Sequence, residues 1–380
     1  MLTEKTDGST SSEKSELLFA DAAVEALEAQ KTLPAKFMRI LNRLNLPEKI
    51  EGKSVTIKMH LGDDLGFTTI HPLFVRILVK AVKDAGAKHV KIIDDKVFAL
   101  DPDMGLARGY TKEVLGCPVL SCFGQGGKYH YKMDIGFKEL DYALMAGEAL
   151  DCDFFIDLSH IKGHGACGFG GALKNIAMGL VTRETRQKLH RLEGGLTYDR
   201  EKCNYCLKCF KACPNGAINK NDDSKEISFF FHHCTFCQHC VMICPEEAIT
   251  VENRKFDDFS MGMAQVTAAF LKKFTPDNLL FINFLTDITM YCDCWGFSSP
   301  SLVPDIGILA GTDIAAIDIA SLDMIKTEDL LPNGLPKNRN TLGEGSHLFE
   351  KIHGKDPYVM IKYLSDYYDC NPEYELKEVH

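Results

Sequence analysis

The chain is predicted to be an α/β protein, an open and mostly parallel sheet domain interrupted by a small inserted α+β domain. Three observations predict this. From Ser54 onward, apolar runs of strand length alternate with helical stretches, the order of a β-α-β unit, which requires a parallel sheet and a right-handed crossover. Eight of the 15 cysteines fall between positions 203 and 245. With 380 residues and 45% hydrophobic content, the chain can bury one substantial core and a small satellite module.

Residues 1–16, rich in Ser, Thr, Lys and Glu, are expected to form a disordered leader. The α/β domain is expected over 17–198 and 252–380, with the insert at 199–251. Residues 22–46 read as two helices separated near Pro34. The run 55–60 reads as a strand ended by the turn Gly62-Asp63-Asp64. Pro72 stands where a helix begins, 73–85 carries its apolar period and Gly86 stops it. Residues 90–94 follow as the next strand. Further strands are expected at 119–123, 154–158, 279–285 and 307–309, and a helix at 314–325 with Asp313 as its cap.

The inserted cysteines form two identical runs. They are Cys203-x-x-Cys206-x-x-Cys209-x-x-x-Cys213-Pro214 and Cys234-x-x-Cys237-x-x-Cys240-x-x-x-Cys244-Pro245, and the pair Ala217-Ile218 recurs as Ala248-Ile249. This is the spacing of a bacterial ferredoxin-like domain with two 4Fe-4S clusters. Three thiolates at three-residue intervals on an irregular loop reach three corners of one cluster, and the fourth must come from elsewhere. In modules of this kind it crosses over. Cys203, Cys206, Cys209 and Cys244 are then expected on one cluster, with Cys234, Cys237, Cys240 and Cys213 on the other. Zinc sites show separated C-x₂-C pairs instead, and disulfides need an oxidising compartment. A segment of roughly 50 residues is too small to stand on apolar burial alone, so the clusters act as its staple.

The formal net charge of −10 argues against nucleic acid as a partner, which would demand a basic face. No stretch reaches about 18 uninterrupted apolar residues, and the first fifteen lack an apolar signal core. The expectation is a cytoplasmic, oxygen-sensitive protein without a membrane partner. Its partner is a small-molecule substrate or a redox protein, and a homo-oligomer is compatible with this. The sequence carries no complete G-x-G-x-x-G or G-x-x-x-x-G-K-[ST] fingerprint and no C-x-x-C-H, so NAD, FAD, ATP and haem are not implied by motif.

Open α/β sheets bind ligands at the carboxyl ends of their strands. His60 and Gly62 end one strand, Asp94 and Asp95 the next, and Ser159 and His160 a third. After His160 comes a stretch with six glycines between 163 and 179. Read as a flexible loop, it brings backbone close to a ligand and points amides inward at Gly170 and Gly171. Lys162 and Lys174 suit a phosphate or carboxylate, His160 and His164 suit proton transfer or metal ligation, and His190 on a later helix can return to the same place. The expected catalytic residues are His160, His164 and Lys174, and the expected cofactor contacts are His60, Lys162, Gly170, Gly171, Lys174 and His190. Cys292 and Cys294, placed at another strand end on alternate residues of an extended segment with Asp293 opposed, form a candidate third metal site.

Several of these stretches resemble the prokaryotic family called domain of unknown function 362, many of whose members carry a ferredoxin insert. The matching elements are the runs 57–62, 159–164, 168–179 and 304–310, and with the insert the resemblance spans about 20–325. It implies an architecture and no reaction. A shorter stretch resembles the lactate racemase family, which uses a nickel pincer nucleotide. There the H-x₉-K pattern across a Gly-Gly loop looks like His164 to Lys174, which implies a lysine that carries the cofactor and a metal-binding histidine at His190.

The leading functional expectation is an iron–sulfur redox protein, in which two 4Fe-4S clusters pass electrons to or from a cofactor or substrate site on the α/β domain. The alternatives are an isomerase or racemase with an additional metal or metal-bound small-molecule cofactor and structural clusters, or a non-catalytic electron carrier or metallocofactor assembly scaffold.

Overall fold

The computed structural model describes residues 14–62, 65–95, 105–213, 216–231, 233–234, 239–251, 255–295, 298–337 and 341–380. Its centre is an eight-stranded sheet in the order Tyr374–Glu378, Ser15–Asp21, Gly307–Gly311, Leu279–Leu285, Phe154–His160, Ser54–Met59, His89–Asp94, Val119–Ser121. Five of the seven neighbouring pairs are parallel, and Gly307–Gly311 alone runs against both its neighbours. The mostly parallel α/β sheet that the sequence predicts is the one that forms.

The central strands are buried on both faces because helices cover both. Alternate residues of one strand therefore enter different cores. Phe154, Ile156 and Leu158 pack with Phe37, Ile40 and Leu78 from helices Leu33–Arg43 and Pro72–Asp84. Phe155 faces the other core with Phe270, from helix Phe256–Leu271, and Ile317, from Ile314–Asp323. Asp313 caps that last helix by accepting from the Ala315 and Ala316 amides.

Three expectations are corrected in the first third of the chain. The strand Ser15–Asp21 begins inside the stretch expected as a leader, while residues 1–13 lie outside the described residues. Leu17 enters one core and Leu18 the other, so the run has no polar alternation to mark it. Only one long helix forms in 22–46, Leu33–Arg43, with Pro34 in its first turn, where its missing N–H is not needed. The strand expected over 119–123 ends at Ser121. The elements not foreseen include the hairpin of His130–Phe137 with Leu140–Ala146, the helix Phe256–Leu271 and the edge strand Tyr374–Glu378.

Within the cysteine-rich segment, Leu196–Tyr198 pairs antiparallel with Ile249–Val251, and Ile218–Asn221 with Glu226–Phe229. The first ladder places Tyr198 opposite Ile249, so the chain leaves and re-enters the α/β body at adjacent points. Excising 200–250 and bridging the gap with a short Gly/Ser linker is expected to leave a soluble, helical α/β protein. Size-exclusion chromatography and circular dichroism check this, and recovery of aggregate alone would show that the segment completes the main core. Among the described residues, no helix is long and apolar enough to cross a membrane.

Candidate active-site cleft

The site grows from polar residues on one face of otherwise apolar strands. Lys58 and Asp157 are register partners on adjacent strands, and both are fully buried. Lys58 Nζ donates to Asp94 Oδ1 and to Asn175 Oδ1, each at 2.9 Å, while Asn175 Nδ2 donates to Asp157 Oδ2 at 2.9 Å. Burial opposes both charges of the first pair, but each partner outweighs it. The Lys58 ammonium is held above its ordinary range, and Lys58 with His60 holds Asp94 well below that of a carboxylate. Asp157 lacks so close a cation, and burial pushes it up to about 8.

The glycine-rich stretch is a correction to the flexible loop expected from sequence. It folds as a buried hairpin, Lys162–His164 against Gly168–Gly170, followed by helix Ala172–Ala177. Asp318 accepts from the Ala172 and Leu173 amides at 2.9 Å and so closes the start of that helix. A Cβ on Gly171 would lie 2.6 Å from Asp318 Oδ1, which explains the glycine there. Gly170 stands opposite Lys162 in the ladder and lets the lysine stem pass beside it.

Lys162 Nζ donates to the His160 carbonyl at 2.7 Å and pairs with Asp293 Oδ2 at 3.3 Å. His160 Nδ1 lies 2.9 Å from the same Asp293 oxygen, and its Nε2 lies 2.9 Å from the Thr286 carbonyl. Despite burial, His160 and Lys162 hold Asp293 well below the usual carboxylate range.

Lys174 Nζ donates to Cys292 Sγ at 3.3 Å. Cys292 and Cys294 do not continue a strand, as the sequence suggested. The turn of 3-10 helix Asp293–Trp295 replaces the extended segment, and it sends Asp293 to His160 while leaving both sulfurs near His60. Burial would raise the Cys292 thiol, but its hydrogen bond with Cys294, together with Lys174, His164 and His60, holds it well below the usual thiol range. Burial and the Cys292 neighbour drive Cys294 the other way. His164 Nδ1 accepts from the Ala166 and Cys167 amides at 3.1 Å, and burial with Lys174 lowers its pKa to about 4. His190 stacks on Phe259 at 5.4 Å, and burial with His164 lowers its pKa to about 3. Both imidazoles are therefore neutral near pH 7.

Some of these groups meet at an open cleft, lined among others by Lys58, His60, Lys162, Gly171, Lys174, Arg186 and Cys294. His160, His164, Gly170, His190 and Cys292 stand outside its lining. Every cation at the cleft has an acidic partner: Lys58 has Asp94, Lys162 has Asp293, Arg186 has Asp95, and Lys174 has Cys292. The sequence reading did not single out Lys58, Asn175, Arg186 or Asp157. Its available signal was polar residues two apart inside strands buried on both faces, Thr56 with Lys58 and Asp157 with Ser159.

In the small unit, Cys203, Cys206, Cys209 and Cys244 line one hollow. Tyr205 and Leu207 adopt left-handed backbone, which folds the first run tightly enough for its three thiols to converge. The Tyr205 amide donates to Cys203 Sγ at 3.4 Å. The Ala217 and Ala248 amides donate to Cys213 and Cys244 Sγ at 3.2 and 3.3 Å, the same contact in both halves. Cys213 packs both with the apolar group of Cys209 and Cys240 and with that of Cys234, and Cys237 lies outside the described residues. Among the described residues no disulfide forms.

A 29-residue stretch is 59% identical to dihydromethanopterin reductase (acceptor) of Methanocaldococcus jannaschii, and it covers 8% of this chain and 12% of that protein. A crystal structure of a Thermotoga maritima protein aligns with TM-score 0.36 and 14% identity, covering 68% of this chain and 52% of the other. The lactate racemase apoprotein of Thermoanaerobacterium thermosaccharolyticum aligns with TM-score 0.33 and 15% identity, covering 71% and 51%. The chain thus spans about half of each solved structure. The family model described as a domain of unknown function (DUF362) matches residues 55–323, a span that holds six of the eight sheet strands and every residue of the cleft. The chain belongs to the DUF362 family.

Proposed function

We propose that this is an iron–sulfur redox protein whose two 4Fe-4S clusters pass single electrons to or from a cofactor or substrate in the cleft. Cys203, Cys206, Cys209 and Cys244 hold one cluster, and Cys213, Cys234, Cys237 and Cys240 the other. The observation that carries the reading is the convergence of the first three cysteines with Cys244, which belongs to the second run, around one hollow. Crossed ligation of this kind is what two-cluster ferredoxins use. The amide donors on Cys203, Cys213 and Cys244 support it, since hydrogen bonds to ligating sulfurs are one of the levers on cluster potential. In the cleft, Lys162, Lys174 and Arg186 suit an anionic small molecule, whose carboxylate or phosphate would compete with the resident acidic partners.

Protein prepared without oxygen is expected to bind about eight iron and about eight sulfide. Cys213→Ser and Cys234→Ser should each remove about four iron, and combining them should remove no more, because they share a cluster. Cys213→Ser combined with Cys203→Ser should remove about eight. Loss of about four iron in that second combination would overturn the crossed assignment.

A second reading rests on Lys174, which lines the cleft with His164 close behind it. In this reading the lysine carries a metal-bound cofactor for an isomerase, and the clusters are structural. Such an enzyme would keep its activity with the clusters held in either redox state, whereas a reductase would not.

A further inference from the structure

The cleft holds an arrangement that electron delivery alone does not need. One ring nitrogen of His60 and the sulfurs of Cys292 and Cys294 all lie within 4.8 Å of one another. His60 Nδ1 is engaged with Asp94 Oδ2 at 3.3 Å, and among the described residues its buried Nε2 has no hydrogen-bond partner. Cys292 is fully buried and Cys294 is 5% exposed. Tetrahedral ligands about a zinc-sized ion stand roughly 3.4–3.8 Å apart, so the three atoms need only a small inward closure to share one.

The surroundings are those of a metal site. A ligating histidine usually gives its other ring nitrogen to a carboxylate, which fixes the ring and raises its basicity, and Asp94 stands in that place. Asp94 is itself locked by Lys58 and by the Leu61 and Asp95 amides, so it is a rigid support. Lys174 donates to Cys292 Sγ and offsets the charge of a thiolate there. A second grouping, His60 with Asp94 and Asp95, is the weaker one: Asp94 is already taken by these donors, and Asp95 is taken by Arg186.

We propose that His60, Cys292 and Cys294 bind one borderline divalent ion of the zinc class, separate from the iron of the clusters. Two thiolates and one imidazole make a soft set that selects such ions over magnesium or calcium. Three protein ligands with His60, Cys294 and Lys174 on the wall of the cleft leave the fourth position facing it, the pattern of a catalytic site, not a structural one. The ion would polarise an oxygen of the bound small molecule beside Lys174. This rests on the reading of the cleft as the working site, and it does not depend on the cluster assignment.

The test titrates the full-length, anaerobically prepared protein, with its clusters, with zinc chloride. Metal content and zinc-edge X-ray absorption are then measured. The expected result is about one zinc beyond the iron, bound by two sulfurs at about 2.3 Å and by imidazole nitrogen at about 2.0–2.1 Å. Cys294→Ser and His60→Gln should each weaken zinc binding by about 100-fold with iron and sulfide unchanged. A spectrum with four sulfurs, or with none, would overturn the proposal even if the variants fail to fold, as would eight iron with no zinc. One zinc with the expected spectrum in a protein that takes up no iron would instead overturn the cluster reading and leave this site standing.

Discussion

If the proposed redox reading holds, replacing Lys174 by alanine is expected to lower electron transfer between the protein and its small-molecule partner by about 100-fold or more, the scale of a lost charge-assisted contact or acid–base group. The side chain is partly buried at the cleft wall. Burial alone would lower its pKa, but Cys292 and Cys294 hold it above the usual lysine range, so it stays cationic at any working pH. His164→Ala is expected to act in the same direction, because His164 packs against the same Cys292 and Lys174. Stopped-flow recovery of the cluster absorbance after reduction measures both variants, with iron content as the control. Unchanged rates in both would mean that this cleft is not the working site.

Lys58→Met is expected to destabilise the α/β domain by about 3–5 kcal/mol, the penalty of leaving one member of a buried ion pair uncompensated. Lys58 and Asp94 are both wholly inaccessible, and without Lys58 the Asp94 carboxylate keeps His60 beside it at 3.3 Å. Asp94→Asn added to Lys58→Met should recover part of the loss, since the amide keeps an acceptor for the Leu61 N–H and carries no charge. Thermal and denaturant unfolding followed by circular dichroism decide it. A single variant as stable as the parent would mean that the pair does not support the sheet.

The legible parts were those governed by local pattern. The helix Pro72–Asp84 lies where Pro72 and Gly86 mark its ends, and Leu279–Leu285 has the limits its apolar run predicts. Reading failed where tertiary burial overrides local preference. Six glycines between 163 and 179 suggested flexibility. The structure uses Gly163, Gly171 and Gly179 instead for close packing, with a Cβ there meeting Met290 O at 2.3 Å, Asp318 Oδ1 at 2.6 Å or Asn175 O at 2.3 Å. The set of candidate cations read from the sequence was likewise incomplete, because Lys58 and Arg186 sit in segments that read as ordinary strand and helix.

By itself the sequence determined the sheet class, the two cysteine runs and the region of the cleft, because hydrophobic period, ligand spacing and strand-end position are properties of short segments. Only the tertiary structure decided which groups meet. It joined His60 to Cys292 and Cys294 across more than two hundred residues, gave each cation at the cleft its acidic partner, and turned Asp293 away from the thiols toward His160. These pairings depend on strand order and on a single turn of 3-10 helix, and neither is encoded in the residues adjacent to the groups concerned.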